Sequence, residues 1–293
     1  MSPVHLPEIK LTLAHSPDAD DAFMFYGLVT GKIEQGQYRF EHVLKDIESL
    51  NRAAEKAQYD ITALSVFGYA FVAKDYVLLD CGASIGDDYG PIVVSREFWD
   101  PQDLGGKVIA VPGTRTTAFL SLALYLGKVP QYIEVPFDQI IPAVRQGVWN
   151  GRPVNAGLVI HEGQLSFTEE GLSCLVDLGQ WWKASRGLPL PLGVNGIRRS
   201  LGPKIHKEVA GLIRQSIVYG LEHREEALDY AASFARGLDG ERLSKFVAMY
   251  VNKWTVRFPE EAKQAVEELL RGAYQLGLLE RPLVPEFVGE SGR

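Results

Sequence analysis

Residues 155–167 read NAGLVIHEGQLSF, and the fold turns on them. Ala156, Gly157, Leu158, Val159 and Ile160 form a short uncharged run that stops abruptly at His161 and Glu162. Such a run is the pattern of a strand buried on both faces that delivers its C-terminal end to solvent. Open α/β sheets keep their ligands at that end. Histidine has the unperturbed pKa nearest neutrality, so a histidine fixed at a strand end in a cleft suits proton transfer. His161 is therefore the candidate catalytic base. A second reading stays open, in which His161 caps the strand and hydrogen-bonds a neighbouring carbonyl, as buried polar groups usually do. No zinc helix begins here, because Leu165 stands where the second histidine of HExxH belongs.

Upstream, Lys107–Val111 reads as a strand that runs through Pro112 and Gly113 into the helical stretch TRTTAFLSLALYLG. Thr114, Thr116 and Thr117 crowd its opening turn. Unpaired amides and the dipole of a helix start favour a carboxylate or phosphate. An ordinary threonine N-cap accounts for one of the three. No GK[ST] follows, so this is not a P-loop. A strand at Tyr132–Phe137 and a helix at Gln139–Val148 complete a βαβ set before residue 155.

The N-terminal hundred residues repeat the alternation. A strand at Ile9–Leu13 leads through HSPDADDAF into a helix closed by Gly31. Asp18, Asp20 and Asp21 crowd that loop, where a carboxylate can cap the helix or touch a ligand, and capping is the favoured reading. Val29 stands where an EF-hand needs its glutamate. Tyr38–Leu44 and Asp60–Ser65 are strands around a helix carrying Ile47, Leu50, Ala54 and Ala57. Ser65 ends its strand at the ligand edge without a GxSxG elbow, which leaves it a hydrogen-bonding or capping role.

Short strands follow at Tyr76–Leu79 and Pro91–Ser95, and the turn-rich DPQDLGG at Asp100–Gly106 marks a crossing into a second unit. Cys174–Leu178 reads as a strand, and GQWWKASRGLPLPLGVNGIRR as the return crossing. Trp181 and Trp182 in it are packing residues or a stacking platform. From Pro203 onward the pattern is amphipathic helix and reads as scaffold, with a frayed tail at Glu286–Arg293. The expected architecture is α/β. Residues 1–100 and 188–293 form a large discontinuous domain, and residues 101–187 a small inserted one.

At 293 residues the chain can bury a substantial core without staples, and its two cysteines, Cys81 and Cys174, show no metal or disulfide spacing. A formal charge of −7 disfavours nucleic acid and leaves a small molecule as the expected partner. No stretch reaches the length of a membrane span, and the N-terminus has no signal pattern, so a cytoplasmic protein is expected. The oligomeric state is not encoded in any of these features.

Through HSPDADDAFMFYGL, DIESLNRAA, VPGTRTTAF, AGLVIHEGQLSF, VDLGQWW and GLPLPLG, the chain resembles the 1,4-dihydroxy-6-naphthoate synthases of the futalosine route to menaquinone. That family has the two-domain fold of type II periplasmic binding proteins, with a ligand cleft between the domains. The resemblance implies a lyase that cleaves cyclic dehypoxanthine futalosine, an aromatic carboxylate, without a cofactor or metal. It makes His161 the proton acceptor, puts Thr116 and Thr117 on the substrate, and lines the pocket with Ala63, Leu64 and Ser65. Asp20 joins the substrate-binding set. The family often has SPxPNDTF where this chain has SPDADDAF, so Asp20 replaces an amide and Ala22 a hydroxyl, and Ala63 stands where a lysine can occur. Chorismate dehydratases share the fold, and a non-catalytic binding protein for small carboxylates is the competing class.

Overall fold

The computed structural model describes residues 7–235 and 237–289. Two sheets organise them. Strands β1 (Ile9–His15), β2 (Tyr38–Leu44), β3 (Ile61–Ser65), β4 (Tyr76–Leu78) and β5 (Ser84–Gly86) belong to the first sheet. The second contains β6 (Ile92–Ser95), β7 (Val108–Val111) and β8 (Gln131–Glu134). A small hairpin, β9 (Val148–Trp149) with β10 (Arg152–Pro153), precedes β11 (Ala156–Val159) and β12 (Ser173–Asp177) of the second sheet. The chain then returns as β13 (Leu190–Arg198) into the middle of the first.

The first sheet has the order β2-β1-β3-β13-β4, with β5 also on β13. β1 runs parallel to β2 and β3, while β13 is antiparallel to its neighbours and sets Asn195 opposite Ala63 and Gly193 opposite Ser65. The second sheet has the order β12-β6-β11-β7-β8, parallel through β11, β7 and β8. Every residue of β3 and β11 is buried, which explains why neither run carries a charge. The C-terminal ends of β1, β3 and β11 and the turn after β7 open onto one cleft.

Three sequence readings change. β6, placed before the crossing at Asp100–Gly106, pairs antiparallel with β11 and β12, so the chain leaves the first sheet between Gly86 and Ile92. The segment at Asp100–Gly106 is instead a 3-10 turn, Pro101–Gly106, in which the Asp100 side chain caps the Gln102 amide. The return segment holds a helix, Leu178–Arg186, and the nine-residue β13. The end of the described chain is docked: Phe287 is buried, and residues 286 and 288 exchange backbone hydrogen bonds with Leu78 at the sheet edge.

The two crossings lie side by side. Gly179 meets Tyr89 and Gly90 so closely that a Cβ on it would sit 2.0 Å from the Tyr89 carbonyl. One apolar core passes from Leu64 and Leu78 of the first sheet to Val93, Val111 and Leu158 of the second. The helix Thr117–Leu126 belongs to that shared core through Phe119, Leu120 and Leu122. No helix among the described residues is long and apolar enough to cross a membrane.

Candidate active site

Between the sheets lies a cleft of about 740 Å³, part of it open solvent, and the seven residues expected to form the site, Asp20, Ala63, Leu64, Ser65, Thr116, Thr117 and His161, line it. They arrive from four turns of the alternating fold, Asp20 from the helix start after β1. Ala63, Leu64 and Ser65 end β3. Thr116 and Thr117 open the helix after β7, and His161 lies two residues past β11.

His161 has φ +56°, a left-handed conformation in which a non-glycine residue stores about 1–3 kcal/mol of strain. Its local bonds hold it there. The Gln164 amide N–H donates to the His161 carbonyl at 3.1 Å. With its side-chain nitrogen turned toward the Gly90 carbonyl, 2.6 Å away, Gln164 also accepts the His161 backbone N–H at 3.2 Å. The Phe137 ring meets the imidazole edge to face at 5.1 Å. Imidazole Nδ1 lies 3.2 Å from Asp18 Oδ2, so the histidine does not cap its strand on a neighbouring carbonyl through that nitrogen.

That contact revises the reading of the aspartates as caps. Asp18 occupies the N-cap position of the helix Ala19–Val29 but makes no side-chain cap bond. Asp21 turns back to accept the Ser16 amide at 2.7 Å, and burial pushes its carboxyl well above the usual range. Asp20 is pushed up to about 7, first by burial and then by the nearby Asp18 charge, with His161 acting in the opposite direction. The wall formed by this loop is therefore acidic and reluctant to ionise fully.

The opposite wall is the helix start. Both threonines are buried, and their hydroxyl protons are already committed: Thr116 donates to the Gly113 carbonyl at 2.8 Å and Thr117 to that of Leu192 at 2.8 Å. As acceptors they hold the amides of Phe119 and Phe67. The expectation that threonine hydroxyls reach a ligand is thereby narrowed to the backbone. Thr117 and Ala118, at the first two helical positions, have no intrahelical acceptor for their N–H groups, and both residues line the cleft. Among the described residues lining it there is no lysine or arginine. The helix end thus offers the cleft an electropositive surface made of backbone amides.

Ser65 starts the short helix Val66–Tyr69 without capping it. Its amide donates to Asn51 Oδ1 at 2.9 Å and its hydroxyl accepts from Asn51 Nδ2 at 3.1 Å, which leaves the hydroxyl proton to be directed elsewhere. Trp182 is buried in the shared core, where its Nε1–H donates to Pro189, and neither it nor Trp181 lines the cleft. Sequence reasoning passed over Ser16, Gln164 and Asn195, and also Phe246 and Tyr250, which the supposed scaffold helix Gly240–Tyr250 sends into the cleft. The Tyr250 hydroxyl lies 3.1 Å from the Gln164 amide, and burial drives its acidity far down. Gln164, at the third residue after His161, carried the one usable signal: it begins the next helical turn and so returns to the strand end.

Comparison with known proteins extends this beyond geometry. Residues 11–275 match a protein family described as menaquinone biosynthesis. A Thermus thermophilus protein named 1,4-dihydroxy-6-naphthoate synthase is 42% identical over 279 residues, covering 95% of this chain and 99% of its own. A Streptomyces coelicolor protein of the same name is 34% identical, covering 92% and 94%. Among solved structures, an Archaeoglobus fulgidus protein superposes with a TM-score of 0.87 at 45% identity, over 92% of this chain and 98% of its own. The alkanesulfonate-binding protein of Xanthomonas axonopodis shares only the periplasmic-binding-protein fold, with a TM-score of 0.72 at 13% identity over 96% and 97%. Both the length of the match and the identity of these relatives go well past a common fold: the chain belongs to the menaquinone biosynthesis family.

Proposed function

We propose that this chain is a carbon–carbon lyase, a 1,4-dihydroxy-6-naphthoate synthase that cleaves cyclic dehypoxanthine futalosine and releases a sugar-derived fragment. The observation that carries the catalytic reading is His161. It is held in a strained backbone conformation at a strand end, against a buried carboxylate, in the cleft between the two sheets. A binding protein without chemistry has no evident use for that arrangement.

In this reading His161 removes a proton beside an electron-withdrawing centre of the substrate, and formation of the aromatic ring drives the cleavage forward. The substrate carboxylate lies against the amides of Thr117 and Ala118, because the aspartate wall repels it and no basic side chain competes. Ala63 and Leu64 give the ring system an apolar wall, Ser65 offers its hydroxyl proton, and Asp20 in its neutral form donates to a substrate oxygen. The two sheets belong to two domains, and a small closure between them excludes water from the base. We place the enzyme in the cytoplasm, where its biosynthetic substrate would be made.

Incubation of the purified protein with cyclic dehypoxanthine futalosine tests the proposal. The expected outcome is loss of substrate with the appearance of the naphthoate chromophore. Saturable binding of unchanged substrate would instead favour a solute-binding protein, and turnover of chorismate alone would favour the dehydratase.

A further inference from the structure

We propose that Asp18 is a positioning residue for the base: its carboxylate holds the Nδ1–H of His161, leaving Nε2 as the atom that accepts the substrate proton. The inference rests on the reading of His161 as the base and adds a residue that the family resemblance does not supply, since the position before Ala19 is variable in the SPxPNDTF pattern. An aspartate at an N-cap ordinarily accepts an amide of the first helical turn. Asp18 does not, and its Oδ2 instead lies 3.2 Å from His161 Nδ1. The Asp18 side chain is 2% exposed and that of His161 19%, so the contact is shielded from water. A carboxylate so placed is tolerated when it is paired.

The chemistry follows from the donor inventory. An ionised carboxylate only accepts, so the ring nitrogen facing it carries the proton, and in the neutral imidazole the other nitrogen has the lone pair. When Nε2 takes a proton from substrate, the imidazolium that forms is stabilised by the same carboxylate. The contact also joins the two sheets, because Asp18 follows β1 and His161 follows β11. The base is therefore correctly oriented only when the cleft walls are together. Asp20 on the helix start and Glu162 beside the histidine also bear on this cluster, and Tyr250 approaches it through Gln164. Since Asp20 titrates near neutrality, a pH–rate profile alone would mix several groups, and the tautomer of His161 is the cleaner readout.

Two-bond ¹H–¹⁵N correlation spectra of histidine-labelled protein, with His161 assigned by its absence in His161→Gln, should show the neutral ring protonated at Nδ1. Asp18→Ala should move it to the Nε2–H form and lower kcat by about a hundred- to ten-thousand-fold, with KM changed by less than about threefold. Asp18→Asn, which keeps an acceptor but no charge, should restore part of the Nδ1–H population and little of the rate. An Nε2–H ring in the wild-type protein overturns the proposal without any variant. So does Asp18→Ala turning over at the wild-type rate with only a lower melting temperature, provided His161→Gln is inactive. Wild-type turnover by His161→Gln would remove the base itself, and this proposal with it.

Discussion

Asp20 carries a pH signature that can be worked out in sign. Its carboxyl titrates near 3.8 in the unfolded chain and is pushed up to about 7 in the fold, so the native state holds a proton that the unfolded state has released. Stability therefore falls as pH rises through that window, and the penalty persists above it. Asp20→Asn should match the wild type in urea midpoint near pH 4 and become progressively more stable up to about pH 7, where the difference levels off. A gap of constant size across the range would contradict the assignment. Thr117 gives a second test at this scale. Thr117→Val strands the Leu192 carbonyl and the Phe67 amide, and should cost about 1–3 kcal/mol of stability, yet change carboxylate affinity less than about threefold, because the backbone amides remain. Legibility at this scale follows distance along the chain. The threonines announce a helix start through local preference. That Thr117 spends its proton on a carbonyl 75 residues away, and Asp18 its carboxylate on His161, are facts of tertiary placement that no local pattern carries.

At the scale of elements, strands buried on both faces were legible because their sequences had no alternative. β3 is an uncharged run ending in Ser65, β11 one that leads through Ile160 to His161, and these residues lie at the cleft. β13 was not, since its LPLGVNG stretch reads as turn formers. Its ladder is supplied by β3, β4 and β5, and Pro191 is accommodated where the register shifts between Pro191 and Gly193. The helix Gly240–Tyr250 was legible as a helix but not as a cleft wall, because amphipathic spacing marks the buried face without saying what it faces. Two glycines make the packing argument testable. Gly179→Ala forces a methyl to within 2.0 Å of the Tyr89 backbone and should destabilise by about 1–3 kcal/mol. Gly211→Ala, in the helix Gly202–Glu222 with nothing within 4 Å of the new Cβ, should stabilise by about 0.5–1 kcal/mol. Equal denaturation midpoints for the two variants would contradict this reading of the crossings.

For the molecule as a whole, the alternation of strands and helices pointed to two α/β units, and the crossing was misplaced because β6 lacks a turn signal of the strength of Asp100–Gly106. The core that runs from Leu64 through Phe119 to Leu158 ties the units together, which limits how far they can move apart. Closure on substrate should therefore be a small rocking about the paired crossings at Gly90 and Gly179, changing the radius of gyration in X-ray scattering by less than about 1 Å. A change of several ångströms would mean that the shared core opens. The central claim, that this cleft performs chemistry through His161, is tested most directly by His161→Asn, which keeps a polar side chain but cannot exchange a proton near neutral pH. Turnover of cyclic dehypoxanthine futalosine should fall by about a hundred- to ten-thousand-fold while its affinity changes by no more than about tenfold. Near-native turnover by the asparagine variant would show that His161 is not the base.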